Sequence, residues 1–247
     1  MSAVRDVVLL HGWGTTAAVW KDFGMRLAPR FRVHTPQLPG YGTGSACAPC
    51  TPEIVARAIA DAAPARCSVV GWSLGAQAAL VWAHAAPRQV ARLALIAATP
   101  CFTRRADWPH GVEPEVLSAF SRALVIDRAV ALRRFIALEA RGDERATQVT
   151  LKLRAALAAD GEPDRGPLRN GLAMLAETDL RGGLSAIAQE TLVVHGDRDA
   201  VVPFAAGEAL ARLLPAARLE IVRGAAHAPF LSRPRQVATA LEKFLGG

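Results

Sequence analysis

The amino-acid sequence predicts an α/β fold, a mostly parallel sheet flanked by helices and interrupted by an inserted block of helices. Short apolar runs typical of buried strands alternate with helical patterns over the first hundred residues, and again after about residue 188. Residues 101–187 contain no convincing strand but several amphipathic helical stretches, broken by Pro and Gly. We therefore expect a core formed by residues 1–100 and 188–247, with residues 101–187 inserted as a helical lid.

The core elements follow from apolar runs and from turn and capping signals. Strands are predicted at residues 7–10, 32–35, 68–70, 93–96, 192–194 and 219–222. Helices are predicted at residues 17–27, 51–63, 74–85, 204–214 and 234–245. Thr51 is expected to cap the second of these helices, because Pro52 and Glu53 suit its first turn.

Composition favours a globular protein. The 247 residues suit one large domain or a domain with an insertion, and 51% hydrophobic against 21% charged residues supply a sizeable core. No apolar run reaches the roughly 18–20 residues needed to span a bilayer, and the first residues lack a signal-peptide pattern. We expect a cytoplasmic monomer with neither a membrane nor a nucleic-acid partner.

The net charge of +7 favours an acidic partner. Only three of the 29 basic residues are lysine, however, and the chain is rich in alanine. A GC-rich genome would give the same bias, so the charge alone does not identify a partner.

The four cysteines are too few for a disulfide framework in a chain of this length. Cys47 and Cys50 have the spacing of a metal knuckle, but no second Cys-x-x-Cys pair or histidine cluster completes it. Loop cysteines are the preferred interpretation, and no metal or organic cofactor is expected.

The strongest motif is Gly-Trp-Ser-Leu-Gly at residues 71–75, which fits G-x-S-x-G between a predicted strand and a predicted helix. In that setting Ser73 lies on a tight strand-to-helix turn, and the small residues Gly71 and Gly75 let the turn close. We predict that Ser73 is a catalytic nucleophile in an α/β-hydrolase fold. The alternative is a tight turn with a solvent-facing serine.

The sequence His-Gly-Trp-Gly at residues 11–14 follows the first strand. In this fold that loop supplies one N–H of the oxyanion hole, and the residue after the nucleophile supplies the other. We assign these donors to the backbone amides of Trp13 and Leu74. His11 is expected to orient the loop.

The catalytic acid and the histidine are expected after the nucleophile, in that order. The segment His-Gly-Asp-Arg-Asp at residues 195–199 offers two aspartates. Similarity to hydrolases with a G-x-x-D turn favours Asp199, with Asp197 as the main alternative and Asp179 as a remote one. His227 follows the last predicted strand and is the expected general base. Structural roles are assigned to four further histidines, His34, His84, His110 and His195.

These parts predict acyl-transfer chemistry. His227 takes the Ser73 proton, Ser73 attacks a carbonyl, and His227 later protonates the leaving group and activates water. Serine at position 73 argues against the haloalkane dehalogenases and epoxide hydrolases, which use aspartate there. A non-catalytic ligand receptor is the rival from another class, and the complete Ser73, Asp199 and His227 set argues against it.

Several segments resemble the BioH-type pimeloyl-acyl-carrier-protein methyl ester esterases of biotin synthesis. Three surround the predicted triad: LLHGWG at 9–14, GWSLG at 71–75 and AHAPF at 226–230. The others lie in the predicted lid: PCF at 100–102, DWP at 107–109, FIALE at 135–139, NGL at 170–172 and TDLR at 178–181. The lid segments are the more specific, because many esterases share the triad motifs.

The resemblance implies hydrolysis of the distal methyl ester of pimeloyl-acyl carrier protein, without any cofactor. A general short-chain carboxylesterase or a carbon–carbon bond hydrolase with the same triad remains the rival enzyme. The substrate site implied by the resemblance comprises Trp13, Ser73, Leu74, Phe135, Ile136, Ala137, Leu138, Glu139 and His227. Phe135 and Leu138 would serve equally as the core of a lid helix. The chain departs from the family in an N-terminal strand that is short or missing and in Glu139, where glutamine is expected.

The resemblance also implies that an acidic acyl carrier protein docks on a basic lid surface. Residues 120–155 contain eight basic and four acidic side chains, a balance of +4. Arg134, Arg141 and Arg145 would share one face of a continuous helix, although Gly142 is a potential break. Only Arg134 matches the family position by position. The alternative is a solvated helix face.

Overall fold

The predicted parallel sheet is present in the computed structural model, which describes residues 5–41, 50–161 and 163–247. Within these ranges six strands form one sheet in the order β2-β1-β3-β4-β5-β6, and every neighbouring pair is parallel. The strands are β1 Arg5–Leu10, β2 Phe31–His34, β3 Cys67–Trp72, β4 Val90–Ile96, β5 Thr191–Gly196 and β6 Ala217–Val222. Strand β2 begins one residue earlier than predicted, because Phe31 pairs with Arg5.

The central strands carry nearly continuous apolar runs because helices cover both faces of the sheet. Strands β3 and β5 are buried along their whole length. In the register of the sheet, Leu10 pairs with Gly71 and Trp72 pairs with Ile96. The loops that follow β1, β3 and β4 therefore meet at one edge of the sheet, where ligands bind in open α/β folds.

The core helices match the predictions closely. They are α1 Lys21–Leu27, α2 Pro52–Ala62, α3 Leu74–Ala85, α8 Phe204–Leu213, the single turn α9 Pro229–Ser232 and α10 Pro234–Gly246. Thr51 caps α2 as expected, because its side chain accepts a hydrogen bond from the N–H of Ile54. The predicted helix at 17–27 differs at its start, where residues 17–20 form a 3₁₀ turn closed by a Val19 N–H to Thr16 C=O bond.

Residues 101–187, which we call the lid segment, connect β4 to β5. They contain four α-helices, namely α4 Pro114–Ile126, α5 Arg128–Glu139, α6 Ala146–Asp160 and α7 Arg165–Glu177. A 3₁₀ turn at Arg181–Ala186 follows. The described part of this segment contributes isolated β-bridges but no strand to the sheet. The N–H of Leu180 donates to the carbonyl of Pro100, which holds the two ends of the segment together.

The continuous helix that would align Arg134, Arg141 and Arg145 does not form. Helix α5 ends at Glu139, and α6 begins only at Ala146. The break occurs at Gly142, whose φ of +88° lies in the left-handed region that glycine adopts without a steric penalty. Arg145 is the N-cap residue of α6, so these three arginines do not share one helical face.

None of the helices in the described ranges is long and apolar enough to cross a membrane. Cys47, half of the Cys-x-x-Cys pair noted in the sequence, lies outside the described residues.

Candidate active site

Ser73 lies on a sharp turn between β3 and α3. Its backbone angles are φ 54° and ψ −117°, a conformation that residues with a Cβ rarely adopt and that costs about 1–3 kcal/mol. The turn is held from both sides, because the Ser73 N–H donates to Ile96 C=O and the Ser73 C=O accepts from Ala76 N–H. Such strain at a polar side chain is typical of functional sites.

The two glycines of the G-x-S-x-G motif are required by close backbone contacts. A Cβ on Gly71 would lie 2.5 Å from Cα of Ala76, and a Cβ on Gly75 would lie 2.5 Å from the carbonyl oxygen of Leu10. Both distances are far below van der Waals contact. The second contact also brings the start of α3 against the end of β1, and so against the loop at residues 11–14.

This loop lies beside Ser73. A Cβ on Gly12 would be 3.3 Å from the Cβ of Ser73, and Trp13 lines the same cavity as Ser73. Leu74 is the first residue of α3, so its N–H has no partner within the helix and lies at the positive end of the helix dipole. Trp13 and Leu74 thus lie close to Ser73, and the assignment of their N–H groups to an oxyanion hole stays a prediction.

His11 supports this loop. Its Nε2 accepts from the Leu38 N–H at 3.0 Å, so its Nδ1 carries the proton and donates to Gly12 C=O at 2.9 Å. Burial lowers the pKa of His11 to about 4, which keeps the imidazole neutral. These contacts agree with the structural role predicted for it.

Asp199 is the aspartate that contacts His227. Its Oδ2 accepts from His227 Nδ1 at 2.8 Å, and both side chains are fully buried. The Oδ1 atom accepts from the N–H groups of Val201 and Val202 at 2.8 and 2.9 Å. Asp197 instead accepts from the N–H of Gly224. The remote alternative Asp179 forms ion pairs within the lid segment.

The hydrogen bond to Asp199 fixes the orientation of the His227 ring. Burial alone would raise the pKa of Asp199, but the nearby His227 and hydrogen bonds from His195 and His227 lower it below its ordinary value. Asp199 is therefore a carboxylate that accepts the Nδ1 proton. The opposite ring atom, Nε2, is buried and has no hydrogen-bond partner among the described residues. A buried, unsatisfied acceptor of this kind is unusual outside functional sites.

His195 adds a contact to this pair. Its Nε2 lies 3.0 Å from Val202 C=O and 3.4 Å from Asp199 Oδ2, so the ring donates toward both oxygens. His195 therefore has a structural role, as predicted, and it supports the candidate catalytic acid by direct contact. The sequence signal for this contact is the four-residue spacing between His195 and Asp199.

An apolar cavity of about 230 Å³ opens at Ser73. Trp13, Phe135 and Leu138 line it, as the resemblance implied. Other members of the implied substrate site do not. Ile136 and Glu139 are buried away from the cavity walls, and Ala137 is exposed. Positions 135 and 138 are three residues apart on α5, so they share the face that points into the cavity. Leu74 and His227 are also absent from the walls.

Much of the cavity wall was missed by reasoning from sequence. These side chains come from the start of the lid segment, α4 and α7, and they include Phe102, Val116, Leu117, Phe120, Leu172 and Leu175. Trp13 joins these walls to the core, because its indole N–H donates to Leu168 C=O at 2.8 Å. Its ring also packs edge-on against Phe120 and Phe135. Amphipathic patterns predicted apolar faces on these helices but not the direction of each face.

Glu139, the last residue of α5, contacts the backbone of His227. It is 1% exposed, its carbonyl accepts from the N–H of His227 at 3.2 Å, and its Oε2 has no described hydrogen-bond partner. Burial, and then the negative charge of Asp199, raise the pKa of Glu139 well above its ordinary value. Burial therefore favours the protonated, neutral form of this side chain, which has the shape of a glutamine.

This burial predicts that Glu139→Gln stabilises the protein increasingly as the pH rises. In the unfolded chain Glu139 releases its proton near pH 4.3, whereas the folded protein retains it, so folding stability falls by about 1.4 kcal/mol per pH unit until the folded-state pKa is reached. Glutamine removes this penalty. Urea unfolding of both proteins between about pH 5 and pH 9 measures the difference. Glu115→Gln, a change at an exposed residue of α4, is the control. A constant difference across this range would contradict a neutral, buried Glu139.

The three arginines of the predicted docking surface have different environments. Arg134 and Arg141 are exposed. Arg145 is exposed in part, but its guanidinium donates to the carbonyl of Ser232 at 2.9 Å and so contacts the core. Arg134 and Leu138 are one helical turn apart on α5, and Leu138 lines the cavity.

Known proteins resemble this chain over almost its whole length. The sequence pattern of the Alpha/beta hydrolase family matches residues 7–240. A pimeloyl-[acyl-carrier protein] methyl ester esterase of Nitrosomonas europaea is 40% identical over 96% of this chain and 94% of its own length. One from Aromatoleum aromaticum is 42% identical over 98% of both chains. The solved esterase of Exiguobacterium antarcticum superposes with a TM-score of 0.90 at 24% identity, covering 100% of this chain and 94% of that one. The chain therefore belongs to the alpha/beta hydrolase family and, within it, to the family of the pimeloyl-[acyl-carrier protein] methyl ester esterases.

Proposed function

We propose that this protein is a serine carboxylesterase that hydrolyses the methyl ester of pimeloyl-acyl carrier protein, giving pimeloyl-acyl carrier protein and methanol for biotin synthesis. The observations that support this proposal most strongly are the buried Asp199–His227 hydrogen bond and the strained backbone of Ser73, which lines an apolar cavity. The names of the full-length relatives support the choice of substrate. Family membership makes the chain a carboxylic ester hydrolase.

In the proposed mechanism, Asp199 holds His227 with its Nδ1 protonated, which leaves Nε2 free to accept the Ser73 hydroxyl proton. The serine oxygen attacks the ester carbonyl, and the N–H groups of Trp13 and Leu74 stabilise the oxyanion. His227 then protonates methoxide, and methanol leaves. Water, deprotonated by His227, attacks the acyl-enzyme carbonyl. The bond to the Ser73 oxygen then breaks, His227 returns the proton to that oxygen, and the acid product leaves and ionises in water.

The apolar cavity supports a methylene chain ending in an ester. None of its described wall residues is charged, so the chain of the substrate would be buried favourably, at roughly 25 cal/mol per Å² of apolar surface. The product carries a carboxylate, which is costly to bury without a partner. The cavity is thus suited to hold the methyl ester and to release the acid.

The same proposal includes an acidic carrier protein as partner, docked near Arg134 and Arg141. Both side chains are exposed, and Arg134 lies one turn from the cavity-lining Leu138. A carrier bound there would present its acyl chain to the cavity rim. The proposal places the enzyme in the cytoplasm, because its substrate is a biosynthetic carrier protein, and it treats the enzyme as a monomer.

Arg134→Glu is expected to lower kcat/KM for the carrier-linked methyl ester several-fold, because an exposed charge pair contributes on the order of 1 kcal/mol or less. Activity on p-nitrophenyl butyrate is expected to stay close to wild type, because the triad is unchanged. Adding Arg141→Glu is expected to deepen the loss. Salt is expected to weaken the wild-type preference for the carrier, since such attraction is screened over about 8–10 Å.

Arg154→Glu, an exposed change on α6, is the charge-matched control. Equal loss on both substrates would indicate damage to the lid segment instead of lost docking. Unchanged kinetics on both would contradict carrier docking at Arg134 and would favour a hydrolase of small esters.

A further inference from the structure

The turn between α5 and α6 is attached to the loop that carries His227. This turn, residues 140–145, lies in the lid segment, whereas His227 follows β6 in the core. Two consecutive N–H groups of the histidine loop donate to this part of the lid segment. The N–H of Ala226 donates to Asp143 Oδ2 at 2.9 Å, and the N–H of His227 donates to Glu139 C=O at 3.2 Å.

Of the two acceptors in the lid segment, one is a backbone carbonyl and the other is the side chain of Asp143. It is 7% exposed, and its two oxygens have separate tasks. Oδ2 accepts from Ala226, while Oδ1 accepts from the N–H of Arg145 at 2.7 Å, just before α6 begins. A carboxylate that accepts two backbone N–H groups forms charge-assisted hydrogen bonds, which are stronger than neutral ones. The side chain therefore ties the start of α6 to the residue before His227.

Neighbouring contacts hold the turn in the same place. The N–H of Glu144 donates to Gly224 C=O at 3.0 Å, and its carboxylate pairs with Arg198 and Arg233. Arg198 also donates to the carbonyl of Gly142. Arg198 directly precedes Asp199, so the turn contacts both loops that bear the candidate acid and base.

The position of His227 depends on these two loops. The hydrogen bond from His227 Nδ1 to Asp199 fixes the ring. The indole N–H of Trp72 donates to the His227 carbonyl oxygen at 2.8 Å. The remaining backbone donors, on Ala226 and His227, have only the lid-segment acceptors as described partners. Losing one of them would leave a buried N–H unsatisfied and would let the loop shift.

We propose that Asp143 is a positioning residue for the catalytic base, holding the His227 loop in register with Ser73 through its bond to the N–H of Ala226. This inference rests on the proposed triad but not on the proposed carrier substrate. It predicts an effect on the chemical step. The side chain of Asp143 does not line the apolar cavity at Ser73, so we do not expect it to contribute to substrate binding. A displacement of about 1 Å in a reacting group can lower a rate on the order of 100-fold.

The competing explanation is that Asp143 only stabilises the turn before α6, through its bond to the N–H of Arg145. Asp127 provides the matched control, because its Oδ1 accepts from the N–H of Val130 at the start of α5 and contacts neither loop of the triad. Both aspartates accept a backbone N–H at the start of a lid helix, and losing the Asp127 cap costs folding stability of about 0.5–2 kcal/mol. Only loss of the Asp143 side chain also frees the N–H beside His227.

The experiment compares Asp143→Ala, Asp143→Asn and Asp127→Ala with p-nitrophenyl butyrate as substrate. We expect kcat to fall about 10–100-fold in Asp143→Ala, with KM within about twofold of wild type. Asp143→Asn keeps one acceptor oxygen and is expected to lose less. Labelling of Ser73 by a fluorophosphonate is expected to slow in parallel, and the NMR signal of the His227 Nδ1 proton to shift. Asp127→Ala is expected to lower only the stability measured in urea.

Wild-type kcat in a folded Asp143→Ala would overturn the proposal, as would an equal kcat loss in Asp127→Ala. If the alanine variant does not fold, Asp143→Leu, which is close in shape and removes both acceptor oxygens, decides by the same two criteria. Failure of the proposed function would give a different result from failure of the Asp143 proposal. In that case wild-type protein would hydrolyse p-nitrophenyl butyrate but not pimeloyl-acyl carrier protein methyl ester.

Discussion

Ser73→Ala is expected to abolish covalent labelling by a fluorophosphonate and to lower esterase turnover by about 10⁴–10⁶-fold, because no acyl-enzyme can form. The fold is expected to survive, since the side chain loses a single oxygen and the backbone turn is held by Ile96 and Ala76. Activity-based labelling followed by intact mass spectrometry measures the first effect, and steady-state kinetics the second.

Ser68→Ala is the matched control, because Ser68 lies on the same strand, β3, away from the turn. It is expected to label and turn over like wild type. Labelling that persists in Ser73→Ala would mean that the nucleophile lies elsewhere in the chain.

Asp199→Asn is expected to lower kcat by about 10⁴-fold while leaving the fold intact. The asparagine oxygen would remain on the N–H groups of Val201 and Val202, where Oδ1 lies now, so its amide NH₂ would face His227. The ring would then accept at Nδ1 and carry its proton at Nε2. A histidine in that tautomer cannot take the serine proton.

Asp197→Asn separates the two aspartates of the 195–199 segment. Among the described contacts, the side chain of Asp197 accepts only from the N–H of Gly224, and the amide oxygen of an asparagine can keep that bond. We expect its kcat to stay within a few-fold of wild type. Steady-state kinetics on p-nitrophenyl butyrate compares the variants, with circular dichroism as the check on folding. Greater damage from Asp197→Asn would contradict the assignment of Asp199.

The elements around Ser73 were predictable because local signals agree there. Apolar runs marked β3 and β4, and the helical pattern of residues 74–85 coincides with α3 from end to end. Gly71 and Gly75 could be read as small residues of a tight turn, and the contacts that exclude a Cβ at both positions give the physical reason. Asp199 was preferred over Asp197 through the similarity of its turn, and its bond to His227 agrees with that choice.

The contacts between the lid segment and the core were not predictable in the same way. Asp143 and Ala226 are 83 residues apart, and no periodicity links a turn in one segment to a loop in another. The sequence instead suggested a shared arginine face across Gly142, which the left-handed turn at that glycine removes. The neutral state of Glu139 likewise depends on its burial beside Asp199, a tertiary property that only the fold supplies.

The most direct test of the proposed function is to incubate the purified protein with pimeloyl-acyl carrier protein methyl ester and to follow the carrier conjugate by intact mass spectrometry. The account predicts conversion to a species lighter by one methylene group, with release of methanol and with no conversion by Ser73→Ala. An unchanged carrier conjugate, from a preparation that hydrolyses p-nitrophenyl butyrate, would contradict it.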